Sequence, residues 1–438
     1  MADQSILRIA LAGDSIVQRR LMTHADPTLR PLFDLIRDAD VSFTNLEVLP
    51  NDFRGEPALE SGGSHFGAPT WVLDELTEAG FDLFAMATNH SLDYGTAGLL
   101  HAIEAMEERR LSYAGIGRHL DDARRPVYHT HPNGTVAMLS CTATFAKGQE
   151  ASAQRQDMPG RPGINPLRHS TVHEVTPTQL AAIAEIAEQL GLERWRQRVI
   201  QLGFGFPPAD RSIVMLGDMQ FRSADRPAIR MSARPGDVED IARWVREARE
   251  LSDVVLVSFH AHEHKDDQEC PAEFLPAFAH RMIDEGASLV VGHGPHLLRG
   301  MEVYQGCPIF YSLGNFVGQN ELVPRLPADS YERFRADPQM TPGMVYKQRY
   351  DNDRKGFPAE PRFWQTVVPV CRFTGGTFCG IEIHPVTLGL GEARHLRGRP
   401  RLAAGSEAAS ILRRFAALSE PFGTRLHIGE ASATLAAA

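Results

Sequence analysis

Five short apolar runs in this chain each lead into side chains that can ligate a metal ion, and no other feature limits the possible folds as strongly. Leu7–Gly13 delivers Asp14, and Val41–Leu46 carries Asn45 and leads to Glu47. Leu83–Thr88 is followed by Asn89 and His90, Val254–Phe259 by His260, His262, Glu263 and His264, and Leu289–Gly292 by His293 and His296. With Val136–Cys141 and Ile309–Ser312, these runs have the length and bounding residues of buried strands. Amphipathic stretches at Thr70–Ala79, Thr96–Arg110 and Pro271–Glu285 alternate with them, and Gly80 and Gly286 serve as helix stop signals. Strands alternating with helices predict a layered α/β core. In an open α/β sheet the ligand crevice lies beyond the carboxyl ends of the strands, so five segments aim oxygen and nitrogen donors at one edge.

Carboxylates, an Asn carbonyl and imidazoles without cysteine suit hard to borderline divalent ions such as Zn²⁺, Mn²⁺ or Fe²⁺. Two such ions about 3.5–4 Å apart need a bridging carboxylate, and Glu47 is available for it. Each piece also has a plain structural account. Gly13-Asp14 alone is a turn with a helix-capping aspartate, and Asn89-His90 alone is a strand-end pair satisfied by backbone. His260, His262 and His264 share one face if the strand continues and scatter if it bends; one is expected as a ligand and one in solvent or in a supporting role. Gly294-Pro295 forces a tight turn that brings His293 and His296 close.

At 438 residues a length prior suggests two or three domains or one large elaborated core. The core is expected over 1–320, with an insertion over 145–235, and residues 321–438 form a C-terminal segment packed on it. Asn133-Gly134 between Val127–Thr130 and Val136–Cys141 predicts an antiparallel hairpin, so the sheet is mixed. A helix is expected near Thr178–Gly191, and after Val317 strands near Trp364–Phe373 and Gly380–Pro385 and a helix near Ala404–Leu418. The final ASATLAAA has little to pack and is expected to be loose.

The net charge of −10 gives no general attraction for nucleic acid. The five cysteines, with no CxxC pair, fit reduced thiols and a cytoplasmic setting. The first residues read as a strand and not as a signal peptide, and no stretch reaches the roughly 18 apolar residues of a membrane span. Gly217-Asp218 repeats the form of Gly13-Asp14 without His or Asn partners and reads as a turn. His24, His101, His119, His129, His131, His169 and His173 sit on polar or capping stretches and read as surface residues before they read as ligands. The ARHLRGRPR run, Ala393–Arg401, reads as a solvated loop before it reads as a polyanion site.

GDS at Gly13–Ser15, TNLE at Thr44–Glu47, TNHSLDYG at Thr88–Gly95, HAHE at His260–Glu263 and GHGPHLLRGMEVYQGCPIFYSLGNF at Gly292–Phe316 together resemble the CapA-type poly-γ-glutamate capsule proteins. That family looks like a branch of the calcineurin-like metallophosphoesterases. The resemblance implies a four-layer core, a mixed β-sandwich flanked by helices, with one or two divalent ions. By its analogy Asp14 and His296 bind the first ion, Glu47 bridges, and Asn89, His260 and His293 hold the second, while His90 is the general acid. Three departures stand out. Typical members have an N-terminal membrane anchor and this chain shows none. Many have His-Trp-Gly where His260-Ala261-His262 stands, which makes His262 a substituted ligand or a substrate contact. Ile16 also occupies the place of a histidine two residues after the first aspartate.

The expected activity is hydrolysis of γ-linked amide bonds in poly-γ-glutamate or a related anionic γ-glutamyl compound by metal-activated water, with His90 protonating the leaving amine. Arg161, Arg168 and Arg299 are the arginines expected to meet substrate carboxylates. The alternatives are a phosphoesterase using the same centre and a non-catalytic component of capsule polymer synthesis or export.

Overall fold

Why the apolar runs are nearly continuous becomes clear from their surroundings: both faces of each strand are covered. The computed structural model describes residues 5–21 and 26–436; His24 lies outside them. Two mixed sheets face each other. In the first, Ile6–Ile16, Val41–Leu46, Leu83–Ala85 and Ser112–Ala114 run parallel, and the hairpin of Gln365–Thr374 and Thr377–Thr387 joins antiparallel beside Ile6–Ile16. In the second, Gly134–Thr142, Val254–His260, Leu289–His293 and Cys307–Leu313 run parallel between two antiparallel edges, Val127–His131 and Leu298–Tyr304.

Strand alternation assigns each side chain to a layer. Ile9, Leu11 and Phe43 of the first sheet meet Met138, Leu256 and Val291 of the second in one central cluster. Val255, Val257 and Phe259 point the other way, onto Val245, Phe278 and Met282 of the helices Pro235–Leu251 and Phe274–Asp284. On the far side of the first sheet, Phe84 and Leu46 pack with Phe33, Leu76 and Ile103 of the helices Arg30–Arg37, Trp71–Ala79 and Gly95–Glu108. The order is therefore helices, sheet, sheet, helices.

Val41–Leu46 and Val254–His260 form as the sequence predicts, and the Asn133-Gly134 hairpin closes with His131 opposite Gly134. Gly80 takes the left-handed cap at φ +106° after Trp71–Ala79. The strand expected over Leu83–Thr88 stops at Ala85 because Ser91 Oγ donates to the Met86 carbonyl and accepts the Thr88 N–H, folding the chain into a polar turn. Asp14 lies inside its strand and not beyond it, since Asn315–Gly318 pairs in parallel with the extension to Ile16.

Residues 145–235 hold a four-stranded sheet in the order Val214–Leu216, Met219–Ser223, His169–Val175, Ala228–Ala233, with the helices Pro177–Gln189 and Leu192–Gln201. Gly217-Asp218 is the turn between two of these strands. Two expectations need correction. The chain end is not loose through Ala436: Ala433–Ala436 pairs antiparallel with Thr377–Thr387, because small residues still offer a complete backbone ladder. The arginine run is not a solvated loop either. Arg397 is buried, with Glu321 and Asp353 as carboxylate partners, Arg394 donates to the carbonyls of Gly343 and Glu321, and Arg399 pairs with Asp26. No helix among the described residues is long and apolar enough to cross a membrane.

Candidate metal centre

The donors meet where the two sheets present their carboxyl ends. Asp14 and Asn45 are register partners on adjacent strands, as are His260 and His293 on the other sheet. Asn45 Nδ2 donates to Asp14 Oδ1 at 2.9 Å and lies 3.4 Å from His260 Nδ1, so it ties the two sheets together at the site. Gly13 is required here by close approach: a Cβ would sit 2.0 Å from the Gly314 carbonyl oxygen, which accepts the Asp14 N–H. Ile16 is fully buried among apolar side chains and contributes no donor.

Asp14 Oδ1 is 3.5 Å from His293 Nδ1, and its Oδ2 is 3.5 Å from His296 Nδ1. The Gly294-Pro295 turn makes this convergence possible and leaves His296 in the left-handed region at φ +62°, a conformation a non-glycine residue holds only when its surroundings fix it. Those surroundings are Asn315 Oδ1, 3.1 Å from Nδ1, and the Phe357 ring packed edge-on against the imidazole. Glu47 is fully buried, with Oε1 3.6 Å from His260 Nε2 and Oε2 3.5 Å from His296 Nδ1.

Two groups of donor atoms lie within 4.8 Å of one another: Asp14, Glu47 and His260 in one, and Glu47, His262 and His296 in the other. Glu47 is common to both. The division differs from the one the resemblance implies, which places His296 with Asp14 and gives His262 no fixed ligand role. His262 joins because the chain bends after His260. The Ala261 N–H goes to the His293 carbonyl and the His262 N–H to Thr144 Oγ1, which brings His262 Nε2 to 3.3 Å from His260 Nε2 and sends His264 into solvent.

Electrostatics match the geometry. Burial, then Asp14 and Asp93, push the Glu47 carboxyl well above the usual carboxylate range. Burial, then neighbouring imidazoles, hold His260 and His262 well below the ordinary histidine value, and burial against the opposing pull of Asp14 takes His293 down to about 4. All three are neutral near pH 7 and keep a ring lone pair for a ligand. Both oxygens of Glu47, both ring nitrogens of His293 and the side-chain oxygens of Asn45 and Asn89 are buried without a hydrogen-bond partner. Each such group costs about 1–3 kcal/mol when left unmade, and carboxylate and carboxamide oxygens beside neutral imidazoles are a donor set that suits divalent ions.

His90 stands beside the donors without joining either group. Its Nδ1 is 2.7 Å from Asp93 Oδ2, which also accepts the Phe66 N–H, and its ring lies over Phe66 at 4.3 Å. Asp93 thereby fixes the imidazole and leaves Nε2 for the site. Asp93 and Asn315 carry no site role in the sequence although both lie inside quoted motifs, and Asn45, read there as a strand-end donor, proves to bond Asp14; an acid three residues after His90 was the available signal. Phe357 had none.

The three arginines are committed elsewhere. Arg299 is fully buried behind the His260–Glu263 bend, donating to the carbonyls of Ala261, Glu263 and Gln268. Arg168 pairs with Asp237, and Arg161 donates to the Glu150 carbonyl. A cavity of about 610 Å³ opens at His262, with His264 and Lys265 on one wall and Ile229, Arg230 and Met231 of the insertion on the other. Through His262 the donors communicate with a space large enough for a substrate.

Comparison with known proteins adds an independent finding. A family model described as bacterial capsule synthesis protein PGA_cap matches residues 8–320. The chain is 34% identical over 428 residues to the protein y4sH of Sinorhizobium fredii, covering 95% of this chain and 90% of that one. It is 26% identical to the capsule biosynthesis protein CapA of Bacillus anthracis, covering 71% of this chain and 59% of the relative. A probable polyglutamine synthesis accessory protein of Mycobacterium tuberculosis is 25% identical, over 58% of this chain and 48% of its own length.

Proposed function

The chain belongs to the PGA_cap bacterial capsule synthesis family, and from that premise we propose that it is a metal-dependent hydrolase of γ-linked amide bonds in poly-γ-glutamate or a related γ-glutamyl compound, built on a metallophosphoesterase-like core. The observation that carries the proposal is Glu47, one carboxylate with an unpartnered oxygen toward each of two donor groups. Asp14, Glu47, His260, His262 and His296 would hold the ions, with His293 and Asn89 as additional donors. A bound divalent ion supplies Lewis-acid polarisation of the scissile carbonyl and activation of water. His90 Nε2 delivers the proton to the leaving amine, and Asp93 holds the ring for that transfer.

The test uses the purified chain with added Mn²⁺ or Zn²⁺ and follows the chain length of poly-γ-glutamate. Shortening that is lost in Asp14→Asn and His90→Ala supports the proposal. Unchanged length with turnover of a chromogenic phosphodiester replaces it by a phosphoesterase. A second reading draws on the printed roles of the relatives, biosynthesis and synthesis accessory: a non-catalytic component that binds the polymer. Tight polymer binding by a metal-free chain is the outcome that favours it.

A further inference from the structure

Arg349 differs from the ion-paired arginines Arg394, Arg397 and Arg399 of the C-terminal segment. Arg397 and Arg394 point into carboxylates and carbonyls, as described above. Arg349 is half-buried, and among the described residues no carboxylate lies within ion-pair distance of it. Its guanidinium lies 4.5 Å from the Phe334 ring centroid and 5.4 Å from that of Tyr350, and its one hydrogen bond goes to a neutral acceptor, Ser64 Oγ, at 3.3 Å. A guanidinium has five N–H donors, so most remain available, and packing against aromatic rings fixes the plane that a carboxylate meets edge-on. Ser64 Oγ is held from a second side: buried Tyr346, on the same helix Pro342–Arg349, donates to it at 2.6 Å.

Ser64 belongs to a loop that touches the catalytic side of the site. A Cβ on Gly62 would lie 2.0 Å from Asn89 Nδ2 and 2.8 Å from His90 Nε2, so a side chain there would displace Asn89 or His90. A Cβ on the next residue, Gly63, would be 3.9 Å from the nearest Arg349 nitrogen. With a Cα step of about 3.8 Å the guanidinium is within roughly 14 Å of His90 Nε2, a span that a short oligomer covers.

Resting on the γ-glutamyl reading of the substrate, we propose that Arg349 is an anion-binding subsite that takes a free carboxylate of the substrate flanking the bond at His90. The substrate class follows from its chemistry: a chain that carries a carboxylate on each unit, where the Gly62-Gly63 backbone leaves room beside the guanidinium. The three arginines expected from sequence are engaged elsewhere, and Arg349 takes over that role from the other end of the chain.

The experiment is calorimetric titration of the full chain, supplied with Mn²⁺, with a γ-linked glutamate oligomer and with the same oligomer carrying carboxamides in place of its free carboxylates. Wild type is expected to bind the carboxylate form more tightly. Arg349→Met, which keeps the packing stem, is expected to weaken that form by roughly 10- to 100-fold and to leave the carboxamide form unchanged; Arg349→Lys recovers part of the loss. Thermal melting of both variants reports whether they fold. Equal affinity of wild type and Arg349→Met for the carboxylate oligomer overturns the subsite, and so does absence of binding by wild type. Carboxylate-selective binding that depends on Arg349, without any chain shortening, keeps the subsite and refutes the hydrolase proposal instead.

Discussion

Beside the insertion, the buried Asp237 carboxylate accepts from three guanidinium nitrogens of Arg124 and Arg168 and from the Arg168 backbone N–H. At the strand ends the equally buried Glu47 carboxylate accepts from none. Burying a charge is tolerable only when it is paired and hydrogen-bonded. The Asp237 cluster meets that condition from within the chain, and its geometry is complete. The Glu47 cluster gathers His260, His262, His293 and His296 around two carboxylates, Asp14 and Glu47, and among the described residues neither Glu47 oxygen has a hydrogen-bond partner. Two polar clusters of similar burial therefore differ: one is satisfied from within the chain, and the other keeps unpaired oxygens and nitrogens of the kinds that suit divalent ions.

The largest effect that tests this contrast is expected from Glu47→Gln. Losing the donor common to both groups should lower metal content, read by elemental analysis, and cut turnover by on the order of 10⁴-fold. The metal-free chain should melt no lower than wild type, because an unpaired buried carboxyl is replaced by a neutral amide. A markedly destabilised metal-free variant would mean that Glu47 is a structural residue like Asp237.

Asp237→Ala is the converse experiment. It strands the buried Arg124 guanidinium, which keeps only Asn165 and the half-exposed Asp240, and breaking such a pair costs about 3–5 kcal/mol. Denaturant unfolding should show this loss while the folded fraction retains wild-type metal stoichiometry. A third measurement requires no mutation: saturating the chain with Mn²⁺ or Zn²⁺ at 100 times its dissociation constant should add about 2.7 kcal/mol of stability. The gain should be absent in Glu47→Gln and present in Asp237→Ala.

How far the sequence already carries this contrast differs between the clusters. The strand ends are legible because a buried strand can be read from a short apolar run and its last residue is then placed by the sheet; His260 and His293 follow directly, whereas Asp14 lies inside a strand that runs on to Ile16. The Asp237 cluster is not legible, since Arg124, Arg168 and Asp237 come from parts of the chain up to 113 residues apart, and nothing local marks them. For the same reason the partners that Arg161, Arg168 and Arg299 find, the Glu150 carbonyl, Asp237 and the carbonyls of the His260–Glu263 bend, are not visible in the sequence, while Arg349 and Phe357 gave no signal. The run Ala393–Arg401 misled for a related reason: its arginines find acids at Asp26, Glu321 and Asp353, up to 373 residues away in sequence. Ion pairs of that kind depend on tertiary packing, whereas strand-end donors depend on local pattern.

The smallest expected effect lies between the two clusters. Asp93 is buried, yet Oδ2 is satisfied by His90 and the Phe66 N–H while Oδ1 has no partner, so it is half closed. Asp93→Asn keeps an oxygen able to accept the Phe66 N–H and removes the carboxylate that faces His90 Nδ1 at 2.7 Å. Metal content should be unchanged, because Asp93 belongs to neither donor group. Turnover should fall by about 10- to 100-fold with little change in KM, as expected when a general acid keeps its place and loses its carboxylate partner. Loss of bound metal in Asp93→Asn would instead place Asp93 in the open cluster, and the His90–Asp93 pair would then position ions before it moves protons.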